Sequence, residues 1–237
     1  MKNIKRGAYN EIVMSSVAQR TRKAAANLFN DAQKSEKIDE HGNWEFGAEF
    51  DKAGRGYAIN WDFYAIGKDY FSKKIMAIVQ IRKWEKRSRR GFASVNKSYF
   101  LLGRNEDNTA FAHPVESRVI HHAIKVGNDP IRACQDWIFG CDYTKVIRQG
   151  DVALIPSTQR QASNAKELER KDLFIDDSES HELKADKIAQ NGALYALNPS
   201  IYHLPKTHPD FQNLEGWYKV VIGKRGRYHD FAAPTID

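Results

Sequence analysis

The first pattern in the chain is an apolar repeat at helical spacing between Glu11 and Phe29. Residues three, four or seven apart share one face of a helix, so the repeat predicts an amphipathic helix. We expect its apolar face to pack on a core and its basic face to meet solvent, with nucleic acid or a partner protein as the alternative contact. The apolar positions are Met14, Val17, Ala18, Ala25 and Leu28, and the basic ones are Arg20, Arg22 and Lys23.

After Gly56 the pattern changes to short apolar and aromatic runs bounded by turn residues, which is typical of β-strands. Three runs begin at Tyr57, Lys74 and Ser98, and a fourth spans Thr109–Val115. Successive strands with short connections favour an antiparallel meander, in which the fourth run pairs back on the third. The polar segment before them, residues 34–56, is predicted as a loop with a short strand at 44–50.

The second half of the chain alternates short apolar runs with polar segments. Asp129-Pro130 predicts the start of a helix over 130–137, because proline is favoured in a first helical turn. Residues 145–156 predict two short strands bent at Gln149-Gly150-Asp151, and residues 157–179 predict an exposed, flexible excursion with a little helix. Further strands are predicted at 193–197, 200–204 and 217–223.

These elements predict an α+β fold that is mainly antiparallel β with an N-terminal amphipathic helix. The pattern is compatible with two lobes. Residues 1–127 would hold the helix, the meander and a basic arm, and residues 128–237 would hold a β module rich in histidine.

Composition places the chain among ordinary globular proteins. It has 237 residues, 41% of them hydrophobic, and a formal net charge of +7, which makes a polyanionic partner plausible. No apolar run reaches the roughly 20 residues that span a bilayer, and we see no secretory signal, so we expect a cytoplasmic protein with no membrane association. Cys134 and Cys141 lack a second Cys or His pair nearby and are expected to be reduced thiols; we expect no cofactor.

The densest basic stretch lies between the second and third predicted strands. Cations that reach outward from a connection can contact phosphates, and exposed aromatic rings can stack on unpaired bases. The stretch therefore predicts an arm that binds RNA or single-stranded DNA, with a solvated strand edge as the alternative. Its residues are Arg82, Lys83, Trp84, Lys86, Arg87, Arg89, Arg90 and Phe92.

Three histidines, His181, His203 and His208, fall in the last quarter of the chain. Two imidazoles can act as base and acid on a phosphodiester, with Lys224, Arg225 or Arg227 stabilising the charge and Tyr218 or Tyr228 orienting the phosphate. A metal site would use the same histidines with a carboxylate from Asp151, Glu182 or Asp210. The alternative is that the histidines hold loops by hydrogen bonding.

Residues 148–228 resemble a group of small bacterial and phage proteins. The resemblance rests on Arg148-Gln149-Gly150-Asp151-Val152, on Ser180-His181-Glu182-Leu183, on the step from His203 to His208, and on Gly216-Trp217-Tyr218-Lys219-Val220. In that group a GHxH-like step has two histidines, whereas this chain has His181 alone. The resemblance implies a compact β module in which the histidines follow one another in this order along the chain. It implies no reaction.

From the sequence we predict a protein that binds nucleic acid, RNA or a single strand in preference to duplex DNA, through the basic and aromatic arm. The basic segment around Lys224, Arg225 and Arg227 is predicted to add phosphate contacts. Two alternatives stay open. One is a phosphodiester-cleaving or metal-dependent enzyme that uses the histidines, and the other is a protein-interaction or inhibitor module with a basic face.

Overall fold

A computed structural model of the chain describes residues 16–34, 46–69, 72–91, 93–105, 108–149, 151–175, 180–204, 210, 212 and 214–227. The chain forms two compact units. The described residues of the first unit fall within 1–104, 110–117 and 226–237, and those of the second within 105–109 and 118–225. Each unit therefore combines segments that are distant in sequence.

The first unit is a helix packed on a five-stranded antiparallel sheet. Its strands follow one another in the order β1-β2-β3-β4-β5, which confirms the predicted meander and the short strand before it. The elements are α1 (Ser16–Lys34), β1 (Gly47–Phe50), β2 (Gly56–Lys68), β3 (Ile75–Lys86), β4 (Ala93–Arg104) and β5 (Ala110–Val115).

The predicted amphipathic helix is present as α1, and its apolar face lies on the sheet. Ala25, Leu28, Phe29 and Ala32 are buried at helical spacing, and the ring centroids of Phe29 and Trp61 are 4.1 Å apart. The predicted basic face is exposed. The helix continues beyond the predicted end because Phe29 and Ala32 add buried contacts there, and the predicted start at 11–15 lies outside the described residues.

The strands on either side of the basic stretch are longer than predicted. β3 continues to Lys86, and β4 begins at Ala93 rather than Ser98. Their register runs from Ala77 opposite Leu102 to Lys86 opposite Ala93. The charged residues at the end of β3 remain in the strand because their backbone N–H and C=O groups bond to β2 and β4. About half of the basic stretch that was predicted as a connection is therefore part of the sheet.

The second unit contains two antiparallel sheets that share an apolar core built around Val152, Leu154, Leu183, Ile201 and Val220. One sheet has the strand order β6-β7-β14-β12-β11-β8, and the other has the order β13-β10-β9. The strands are β6 (Ile147–Gln149), β7 (Val152–Pro156), β8 (Lys166–Glu167), β9 (Asp172–Phe174), β10 (His181–Lys184), β11 (Lys187–Gln190), β12 (Leu194–Leu197), β13 (Ser200–His203) and β14 (Trp217–Ile222).

Three helical elements precede these sheets in the chain: α2 (Ser117–Lys125), α3 (Pro130–Phe139) and a 3₁₀ turn at Tyr143–Lys145. The predicted start of α3 is confirmed. The Asp129 side chain accepts a hydrogen bond from the Ile131 N–H, Pro130 occupies the first turn, and Gly140 ends the helix with a φ of 68°. Glycine is favoured at this left-handed position because it has no Cβ that would clash with the backbone.

Residues 157–179, predicted as an exposed excursion with a little helix, are mostly exposed where the structure describes them, and they contain that helix together with two short strands. A capping box formed by Thr158 and Gln161 opens α4 (Gln159–Ser163). β8 then pairs with β11, and β9 pairs with β10. Strands of two and three residues are too short to show an alternating pattern, so pairing partners distant in sequence define them. Residues 176–179 lie outside the described part of the chain.

All strand pairings found among the described residues are antiparallel, so the protein has the predicted α+β fold, mainly antiparallel β with an N-terminal helix. Within the same residues, no helix combines the length and the apolar character needed to cross a bilayer. Cys134 and Cys141 are both free thiols.

Candidate nucleic-acid interface

The basic part of β3 divides its side chains between the two sides of the sheet. Successive residues of a strand point to opposite sides, so Arg82, Trp84 and Lys86 share one side and Lys83 and Glu85 share the other. The Lys83 side is also that of Val79 and Ile81, which pack with Leu28 and Phe29 of α1. We call the opposite side, at the end of the sheet where β3 turns into β4, the hairpin face.

Lys83 belongs to the interior. Its side chain is 8% exposed, and its ammonium lies 3.8 Å from Glu85 Oε1 and 5.8 Å from the centroid of the Tyr57 ring. An ammonium enclosed in this way is not available to a phosphate in solution. Lys83 therefore differs from the other predicted arm residues, and we leave it out of the interface.

Neighbouring strands add polar and basic groups to the hairpin face. Asn60 and Lys97 are the register partners of Arg82 on β2 and β4, so all three residues share this face. Arg82 Nε donates a hydrogen bond to Asn60 Oδ1 at 2.9 Å. Lys97, which sequence analysis missed, lies directly opposite Arg82 on β4. Like charges at opposed positions destabilise a sheet, so folding alone gives no reason for this pair.

The tip of the β3–β4 hairpin carries the three remaining predicted arginines. Arg87, Arg89 and Arg90 are exposed. The Arg89 N–H donates to the Ala53 carbonyl at 3.1 Å, and its guanidinium donates to the Lys52 carbonyl at 2.8 Å. These bonds hold the tip against the turn between β1 and β2. Phe92, the other predicted aromatic residue, lies outside the described residues.

Phe50 is a second residue that the sequence did not single out. It ends β1, and its side chain is 52% exposed. Its register partner is Gly56, whose partner on β3 is Lys86, so Phe50 belongs to the hairpin face. The only sequence signal was an aromatic residue in a polar segment, and that signal does not specify a side of any sheet.

The structure brings together two of the three predicted catalytic histidines, within the second unit. His181 on β10 and His203 on β13 are register partners, and their ring centroids are 4.5 Å apart. Their exposed fractions are 4% and 7%, and Leu183 and Ile201 on the same strand faces belong to the core. A phosphate does not fit between rings in contact, so this arrangement does not present an acid and a base on opposite sides of a substrate. His208 lies outside the described residues.

Asp151 and Arg225 lie beside the histidine pair. Asp151 Oδ1 is 3.9 Å from His181 Nε2, and Asp151 Oδ2 is 3.5 Å from the Arg225 guanidinium. Asp210 accepts a hydrogen bond from the His203 backbone N–H at 3.2 Å, while Glu182 pairs with Lys184. Within the described part of the chain, no group of three or more His, Cys, Asp or Glu residues is arranged to hold a metal ion.

Lys224, Arg225 and Arg227, predicted to add phosphate contacts, are all exposed, and the backbone on both sides of Arg225 is bonded to other segments. The Lys224 N–H donates to the Ile138 carbonyl, and the Arg227 N–H donates to Glu116 Oε1 at 3.1 Å. Lys224 Nζ lies close to Gly140, at the C-terminal end of α3, where a cation is favoured by the helix dipole. Since Arg225 faces Asp151, two of these three cations already have an intramolecular electrostatic role.

An open cleft of about 540 Å³ lies between α2 and α3. Its lining includes Arg118, His122, Asn128 and Trp137. His121 and His122 are both exposed on α2. Val119, Ala123 and Ala133 complete the lining, so the cleft is a mainly apolar surface feature with an aromatic wall at Trp137.

Comparison with protein-family models, characterised proteins and solved structures gave no match to this chain. The resemblance of residues 148–228 to bacterial and phage proteins consequently stays a prediction.

Proposed function

We propose that the protein binds nucleic acid, RNA or another single strand in preference to duplex DNA, through the hairpin face. One observation carries the proposal. Along the end of β3, Arg82, Trp84 and Lys86 share one side, with Trp84 exposed and both cations partly exposed, whereas the half-exposed Glu85 and its buried partner Lys83 share the other side. Cations on either side of an exposed aromatic ring suit a ligand that carries both phosphates and unpaired bases.

The pairing of Arg82 with Lys97 supports the same proposal. Two cations at opposed positions of an antiparallel pair repel each other, and a phosphate lying between them would remove the repulsion. Lys86 is two residues along β3 from Trp84 on the same face, and the exposed tip arginines extend the positive surface. A chain of phosphates can therefore contact several cations at once.

Trp84 supports the preference for a single strand. Its side chain is 37% exposed between Arg82 and Lys86 on the same face. An aromatic ring on a sheet surface can stack on a base that has left its own stack, and paired bases inside a duplex do not offer that face. Phosphate contacts then supply most of the affinity, and the ring supplies the preference for unpaired bases.

The test compares two triple variants that lose the same charge. One carries Arg82→Gln, Lys86→Gln and Lys97→Gln on the hairpin face, and the other carries Lys166→Gln, Arg170→Gln and Lys171→Gln, three exposed cations of the second unit. Fluorescence anisotropy with a labelled 20-nucleotide oligouridylate measures the affinity over a range of salt concentrations.

We expect the hairpin-face variant to lose at least about tenfold in affinity, and its salt slope to fall by about 2, since each phosphate contact to a single strand contributes about 0.7. The control variant should bind like the parent protein. Equal losses in both variants would mean that net charge, rather than this face, attracts the oligonucleotide, and the proposal would then fail.

A further inference from the structure

Two exposed aromatic residues share the hairpin face. The register places Phe50 opposite Gly56, and Gly56 opposite Lys86. Two residues along each strand, Ala48 is opposite Ala58, and Ala58 is opposite Trp84. Register partners in an antiparallel sheet project from the same side. Phe50 on β1 and Trp84 on β3 are therefore separated by one intervening strand and offset by two residues along the strands, which corresponds to about 12 Å between their Cα atoms at the usual strand geometry.

The surface between the two rings is made of very small residues. Ala48, Gly56 and Ala58 occupy this side of β1 and β2, so no large side chain rises between Phe50 and Trp84. At Gly56 the backbone itself requires this. Its φ is 152°, and a Cβ built there would lie 1.8 Å from the Glu49 carbonyl oxygen. The fold thus keeps an open, shallow floor between two exposed rings.

Cations border this floor. Lys86 lies in the same row as Phe50 and Gly56, and Arg82 with Lys97 lies in the row beyond Trp84. Exposed rings by themselves would equally suit an apolar protein segment. Rings set among Lys86, Arg82 and Lys97 instead suit a ligand that is aromatic and anionic along its whole length, which describes a single-stranded nucleic acid.

We propose that Phe50 and Trp84 form a two-position stacking platform for unpaired bases. One base stacks on each ring, and the sugar-phosphate chain that joins the bases crosses the Gly56 and Ala58 floor beside Lys86. This inference rests on the proposed nucleic-acid binding and adds its substrate class, a strand with at least two accessible bases. It also assigns Phe50 as a residue that determines specificity.

The test uses three probes with the same number of phosphates per strand: an oligouridylate, its duplex with oligoadenylate, and an abasic oligomer of equal length. The variants are Phe50→Leu, Phe50→Tyr and Trp84→Leu. Stacking on an exposed ring changes affinity by about tenfold per base, whereas the backbone contacts to an abasic strand do not depend on the ring.

We expect Phe50→Leu and Trp84→Leu each to weaken oligouridylate binding by about tenfold and to leave abasic binding unchanged. Phe50→Tyr, which keeps a ring, should bind like the parent protein. Trp84 fluorescence should be quenched by oligouridylate, and the quenching should be absent in a Trp84→Phe variant. Unchanged thermal midpoints would show that the exposed positions were altered without loss of the fold.

The failures of the two proposals are distinguishable. Equal affinity for the abasic and uridylate strands, with no effect of Phe50→Leu, would overturn the platform while nucleic-acid binding stands. A protein that binds none of the three probes at low salt would overturn both. Binding of the duplex with the same affinity as the single strand would also contradict the platform, since its bases are not free to stack.

Discussion

Lys83 and Trp84 are consecutive residues of β3, and their side chains lie on opposite sides of the sheet. Lys83 is enclosed beside Glu85 and Tyr57, whereas Trp84 is exposed among cations. The side chains of this basic stretch, which looks uniform in sequence, therefore lie in two different environments, one enclosed and one exposed. This relationship decides which positive charges can meet a ligand and which support the fold.

A matched pair of substitutions tests that division. Lys86→Gln removes a cation from the hairpin face, so we expect weaker oligouridylate binding and a reduction in the salt slope of about 0.7, with no change in thermal midpoint. Lys83→Gln removes a buried cation, so we expect a lower thermal midpoint, because Glu85 loses its partner, and an unchanged salt slope. A loss of salt dependence in Lys83→Gln would contradict the assignment of the two faces.

Gly56 and Gly47 offer a matched comparison of glycines near β1. An alanine Cβ at Gly56 would meet the Glu49 carbonyl, whereas one at Gly47 would meet nothing within 4 Å. We expect Gly56→Ala to lower the free energy of unfolding by about 2 kcal/mol or more, and Gly47→Ala to change it little. Chemical denaturation measures both. Equal stabilities would mean that the β1–β2 hairpin does not need a residue without a side chain at position 56.

The histidine pair makes a prediction about stability. His181 and His203 are buried at the end of a core in the second unit, so His181→Ala and His203→Ala remove packed volume there. We expect each to cost about 2 kcal/mol of folding free energy and to leave oligouridylate affinity unchanged. Loss of affinity without loss of stability would instead place these histidines in ligand binding.

The two cysteines differ in burial, and burial raises the pKa of both thiols. For Cys134 the pKa rises to about 12, with a smaller contribution from Asp129. At pH 8 only about one Cys134 thiol in ten thousand would be ionised, so we expect native Cys134 to resist iodoacetamide. Cys141, half-buried, should react first and faster as the pH rises. Mass spectrometry after timed alkylation gives the order, and early modification of Cys134 would contradict its burial.

Asp51 determines how the turn beside the hairpin tip responds to acid. The pKa of this carboxyl is lowered first by a hydrogen bond from the Arg55 backbone N–H, 2.8 Å from Oδ1, and then by one from the Arg55 side chain. A lowered pKa means that the stabilisation is present above the ordinary Asp pKa and is lost as the pH falls through the lowered value.

Carboxyl-carbon chemical shifts measured against pH test this assignment. We expect a midpoint below that of a free Asp, and we expect Arg55→Gln to raise it only part of the way, because the backbone donor remains. A midpoint at the ordinary value in the parent protein would contradict the Asp51 turn.

Helices and strands with a long hydrophobic pattern were predicted from the sequence, and the shortest strands were not. The helical repeat that buries Ala25 and Leu28 and the apolar runs of β2 to β5 are long enough to be read locally, and they were predicted. β8 and β9 were missed because strands of two or three residues exist only through partners elsewhere in the chain. Lys97 was missed because the start of β4 depends on pairing with β3, and its own sequence is polar there.

The sequence by itself determined the secondary-structure class and the location of the cationic and aromatic residues, because periodicity and composition are local properties. Only the tertiary structure decided which of those residues act together. Strand register set Arg82 beside Lys97 and enclosed Lys83, and it brought Phe50 onto the face that carries Trp84. Those relationships depend on hydrogen bonds between strands, which no single segment of sequence contains.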